Sequence, residues 1–109
     1  MASTYKVLAQ SAPSATTNTD VYTVGSGKSA VVSTITVCNR AASAATYRIA
    51  IRVAGATLAN EDYIVYDVAI AANDTTCLTL GVTLAATDVV TVYASTANFS
   101  FNLFGSEIS

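Results

Sequence analysis

Large apolar residues alternate with small or polar ones in short runs along this chain. In Tyr47-Arg48-Ile49-Ala50-Ile51-Arg52-Val53 the odd positions are large and apolar and the even ones are Arg, Ala and Arg. Successive side chains of a strand point to opposite faces, so this run predicts a half-buried strand. Tyr47, Ile49, Ile51 and Val53 are expected in the core, with Arg48 and Arg52 outside. Val31–Cys38 is β-branched almost throughout, which suits a pleated sheet better than a helix. It places Ile35 and Val37 on one face and Thr34, Thr36 and Cys38 on the other. Val89–Tyr93 and Asn98–Leu103 are two further strong strands, the second directing Phe99, Phe101 and Leu103 one way. Weaker patterns mark Tyr5–Gln10, Asp20–Val24, Asp62–Val68 and Thr75–Leu80.

The breaks between runs agree. Val24-Gly25-Ser26-Gly27-Lys28 reads as a tight turn, because glycine accepts positive φ at little steric cost. Asn39–Ala45 reads as a hairpin loop. Ala54-Gly55-Ala56 ends one strand and Asn73-Asp74 begins another, while residues 85–88 and 95–98 separate the last three. Turn signals therefore recur roughly every 8–12 residues, as in sandwiches and barrels. Ala41–Ala45 and Ala69–Ala72 are too short for helices. The fold class is all-β: one domain over residues 1–109, an antiparallel two-sheet β-sandwich of about eight strands, with a jelly roll among its arrangements. Residues 11–19, with the lone Pro13, read as a linker. The strand within residues 1–10 is then expected at a sheet edge or exchanged with a neighbouring copy, because edge strands present free backbone donors and acceptors. On that reading the body should fold without it.

Composition alters this picture mainly by what it lacks. The chain holds no histidine, the usual acid–base group near neutral pH and the commonest metal ligand. Its Ser and Thr thus have no base to activate them. Lys28-Ser29 sits beside a glycine turn as ordinary surface chemistry. Glu61, Asp62 and Asp67 do not form a converging pair, and neither Asn60-Glu61-Asp62 nor Asn73-Asp74 matches an established calcium spacing. Gly27-Lys28-Ser29 lacks the earlier glycine and following helix of a phosphate loop. No catalytic residue, metal site or cofactor is predicted, and the chain is not expected to be an enzyme. Five basic residues against seven acidic ones, with the basic ones scattered, argue against nucleic acid. No apolar run is long enough to span a membrane and no secretory leader is visible, so synthesis in a cytoplasm is expected. Cys38 and Cys77 read as two small buried residues. Alanine makes up much of the 52% hydrophobic content, which predicts a thin core of small side chains.

Charged residues are only 11% of the chain, low for a soluble monomer and suited to burial against neighbours. The candidate subunit-contact residues are Tyr5 and Val7 on the first strand, the outward Arg48 and Arg52, and Tyr63 and Tyr66. Lying three apart, Tyr63 and Tyr66 are expected on opposite faces, one buried and one available to anchor a protein contact or stack on a sugar.

Residues 5–52 and 88–108 resemble small all-β virion structural proteins of tailed bacteriophages. The resemblance lies in Val24-Gly25-Ser26-Gly27-Lys28 before a β-branched strand, Val37-Cys38-Asn39-Arg40 at its end, Val92-Tyr93-Ala94-Ser95-Thr96, and Phe104-Gly105-Ser106-Glu107. It implies a virion component made in the host cytoplasm. The leading expectation is a capsid decoration or cement protein, a homo-oligomer such as a trimer, packed against the major capsid protein. The alternative is a neck, tail or fibre component, including a host-glycan-binding module.

Overall fold

The computed structural model describes residues 3–109. Eight strands follow in chain order: β1 (Ser3–Ser11), β2 (Thr19–Thr23), β3 (Ser29–Asn39), β4 (Ala45–Arg52), β5 (Tyr63–Ile70), β6 (Thr75–Leu84), β7 (Val89–Ala94) and β8 (Phe99–Ile108). Every predicted strand is present. Among the described residues the only helical pieces are 3₁₀ turns at Val53–Gly55 and Asn60–Asp62.

The strands form two antiparallel four-stranded sheets, ordered β1-β8-β3-β6 and β2-β7-β4-β5. This interleaving is that of a jelly roll. Every connection except β4 to β5 passes from one sheet to the other. Asn39–Ala45 is accordingly no hairpin loop: β3 pairs with β6 and β8, β4 with β5 and β7. Alternation marks which positions face the core, and two sheets sharing one core produce the same alternation as a hairpin.

β1 lies at a sheet edge, paired with β8 of its own chain from Ser3 to Ser11. The linker shrinks to residues 12–18, and it is fastened, with Pro13 buried and the Thr16 N–H donating to Ala94 O at 2.8 Å. Because Leu8 and Ala9 pack on the core, β1 belongs to the body rather than standing apart from it.

The core lies between the sheets. Valine is its commonest residue, but its centre is a triangle of Tyr47, Phe99 and Phe101, with all three ring centroids 6.2 Å apart. The core is therefore not built mainly of small residues: among the described alanines only Ala30, Ala50 and Ala94 are buried. Tyr47 and Ile49 are buried as predicted, and Ile51 is packed at the margin. Val53 is exposed, because the chain leaves the sheet after Arg52 and turns with Ala54 at φ 55°.

Bulges set much of the facing. At the level of Phe104, β1 and β3 each carry one residue more than β8, namely Leu8 and Ser33, and β6 carries one more again in Leu80-Gly81. Each added residue reverses the alternation locally. This is why Val32 and Ile35, three apart, are both buried.

Candidate interaction surfaces

Two networks hold the loops at the ends. Asn39, fully buried, donates from Nδ2 to the carbonyls of Ser43, Ile70 and Ala71 and accepts from the Ala41 N–H. One side chain thus ties the β3–β4 connection to the β5–β6 connection. At the other end Asp88 accepts from the N–H groups of Ala54 and Ala85.

Glu107 bridges the two sheets. It accepts from Tyr22 Oη at 2.7 Å and from Lys6 Nζ at 3.0 Å, with Lys28 Nζ at 3.6 Å. These donors hold the Glu107 carboxyl below its ordinary range, the Tyr22 hydroxyl foremost. Burial, then the bond to Glu107, push the Tyr22 hydroxyl well above its own.

The outer face of β2-β7-β4-β5 carries a cation–aromatic stack. The Arg48 guanidinium lies 4.3 Å from the centroid of Tyr66 and 4.3 Å from that of Tyr93. Its Nε and Nη2 donate to the two carboxylate oxygens of Asp67 at 2.6 and 3.2 Å. The bond with Asp67 raises Arg48 above the usual guanidinium range and holds Asp67 below the usual carboxylate range. The Tyr63 ring meets Tyr66 edge-on at 4.9 Å.

Tyr63 and Tyr66 therefore share a face. The sequence expectation of opposite faces fails because β5 has extra residues against β4 between Val68 and Val65 and between Val65 and Tyr63. Asp67, at φ 52°, occupies the first of these bulges.

Nearby, Arg52 donates to Thr91 Oγ1, to Asp20 Oδ2 and to the carbonyls of Gly55 and Ala56. Thr91 in turn donates to Asp20 Oδ1 at 2.8 Å. The residues after β4 are thereby pinned onto the sheet, and Ala50, Val89 and Thr91 are buried although they point away from the core.

The outer face of β1-β8-β3-β6 is of another kind. Paired residues share a face, so the registers place Tyr5, Val7 and Phe104 together there, with Thr34 and Thr79 beside them. Tyr5 is 86% exposed and Phe104 36%. Between them Lys6, Val31, Ser33, Gly105 and Ser106 line an open depression of about 410 Å³. Cys38 and Cys77 are also here, both as free thiols, Cys38 opposite Thr75 and Cys77 opposite Thr36. They are not core residues: Cys38 is half-buried and Cys77 exposed.

The sequence-chosen contact residues thus separate. Tyr5 and Val7 stand free on one outer face, while Tyr63, Tyr66 and Arg48 form one cluster on the other. Arg48 and Arg52 are both engaged within the chain. Phe104 and Tyr93 were missed, although alternation from the inward Leu103 and Val92 directs both outward. No group of three metal-ligating side chains occurs among the described residues. Comparison with family models, curated proteins and solved structures finds no match.

Proposed function

We propose that this protein is a structural component of a phage virion, a decoration or cement protein that works by packing rather than by chemistry. One observation carries the reading: the basic side chains are engaged inside the molecule while large apolar side chains face solvent. Lys6 and Lys28 meet Glu107, Arg48 meets Asp67, Arg52 meets Asp20, and Arg40 donates to Ser100 Oγ and Ala97 O. Little cationic surface is left for phosphate, whose binding needs clustered Lys and Arg. Tyr5, Val7 and Phe104 on one outer face, Leu80 in the bulge of β6, and Ile64, Tyr66 and Val68 along β5 are exposed instead. Aromatic and large apolar side chains with little charge characterise the centres of protein interfaces.

On a capsid such a domain would sit in many copies against the major capsid protein and against itself. Each contact would raise the energy needed to separate neighbouring capsomers. Repetition around the shell would add avidity without strengthening any single contact. The resemblance to phage virion proteins supports the same setting. Sugar stacking is the weaker use of the tyrosines, because Arg48 already covers one face of both Tyr66 and Tyr93.

Quantitative mass spectrometry of purified particles against the major capsid protein tests the reading. Hundreds of copies per particle are expected. A few copies to a few dozen would move the protein to the neck, tail or fibre, and none would remove it from the virion.

A further inference from the structure

The outer face of β1-β8-β3-β6 is nearly free of charge: Arg40 reaches it at one end, donating to Ser100 Oγ, and Lys6 borders the depression. The registers put Lys6 and Glu107 on the inner side of the same sheet, where they pair with each other. Arg48, Arg52, Asp20 and Asp67 belong to the other sheet, and the remaining charged residues lie in connections. What the face presents is Ser and Thr from all four strands, interrupted by Tyr5, Val7 and Phe104. A soluble surface ordinarily carries roughly a quarter to a third charged residues of both signs. A sheet face with charge only at its margins is a surface organised for burial.

We infer that this face stacks on the same face of a second copy about a twofold axis. This deepens the packing role proposed above and rests on it for the class of partner. The chain has a net charge of −2, so copies repel weakly wherever charge meets charge. A face with Arg40 at one end can meet its own image, about an axis running across the strands, without opposing like side chains. The area suffices: four strands about 4.8 Å apart, each about nine residues long at about 3.3 Å, give a flat footprint of roughly 600 Å². Side-chain relief raises the accessible area toward the roughly 800 Å² per partner of a standard interface. Sheets stack face to face with their strands offset by about 30°, and a twofold contact uses the same patch on both copies. The relief suits such a contact, because the exposed Tyr5 ring stands beside the depression over Gly105 and can enter that of its partner.

The test is the mass in solution of the full chain, by sedimentation equilibrium and light scattering. The wild type is expected at twice the 11.2 kDa of one chain. Val7→Lys and Thr79→Lys each place a charge at an exposed position of this face. Each should weaken self-association at least tenfold with an unchanged circular dichroism spectrum. Ala44→Lys, in an exposed loop away from the face, should not. Cys77 gives an independent readout on the native side chain: its reaction with a disulfide reagent should slow as wild-type concentration rises and lose that dependence in Thr79→Lys. A monomer at all concentrations, or a dimer indifferent to both lysines, overturns the inference. The virion reading fails separately, since a dimer absent from particles would leave this contact standing.

Discussion

At the scale of single residues, two positions hold more of the fold than their size suggests. A Cβ on Gly105 would run into the carbonyl oxygen of Val31, which comes close where β3 bulges against β8. Neither backbone can yield without breaking the pairing of Val32 with Gly105. Gly105→Ala should therefore cost about 3 kcal/mol or more, at or beyond the upper end for overpacking, read as a lower denaturation midpoint. An unchanged midpoint would mean the strands separate there easily. Asn39→Ala would leave three loop carbonyls and the Ala41 N–H without this partner. A loss of at least about 2 kcal/mol is expected, since each stranded buried group costs about 1–3 kcal/mol. Ile49 and Ile51 provide a graded pair. The buried Ile49→Ala should lose about 2–5 kcal/mol and the marginal Ile51→Ala less than about 2 kcal/mol. Equal losses in urea melts would contradict the placement of the sheet margin. Alternation alone could not separate these two residues, because it gives the face and not the depth.

Strands were legible as elements because β-branched and aromatic residues repeat at period two between glycine, asparagine and aspartate breaks. Their bulges were not. Tyr63 and Tyr66 were expected on opposite faces, and extra residues in β5 bring them into contact. In β3 the trace of the bulge is present but slight: Val32 and Ile35 are both apolar across Ser33-Thr34, a step of three. The contact of Glu107 with Tyr22, Lys6 and Lys28 was equally hidden, because it joins positions far apart in sequence across both sheets. It makes a prediction about pH. The folded-state pKa of Glu107 is depressed, so its stabilisation is fully present above the unfolded carboxyl value and is lost as pH falls through the folded one. Thermal midpoints should therefore drop in acid for the wild type, and Glu107→Gln should flatten that part of the profile. A profile unchanged by Glu107→Gln would show that other carboxylates govern acid unfolding.

For the whole molecule, the sandwich could be read from the sequence, but the strand order could not. Local pattern does not tell which strands are neighbours, and the jelly-roll order arises from connections that cross between sheets. It has a functional consequence. By interleaving the chain, it gathers Tyr5, Thr34, Thr79 and Phe104 onto one outer face while the charged side chains, Arg40 at one end of that face apart, fall on the inner margin, the other sheet and the connections. Low charge was visible in the composition, whereas its concentration into one nearly neutral face emerges only from the topology. The central claim is that this protein acts by burying such faces in a phage particle. Electron cryo-microscopy of purified particles tests it most directly. The account predicts this jelly roll on the capsid with the β1-β8-β3-β6 face covered by a second copy and neighbouring density at the β5 rim. A domain found in the particle with that face open to solvent, or particles without it, would contradict the account.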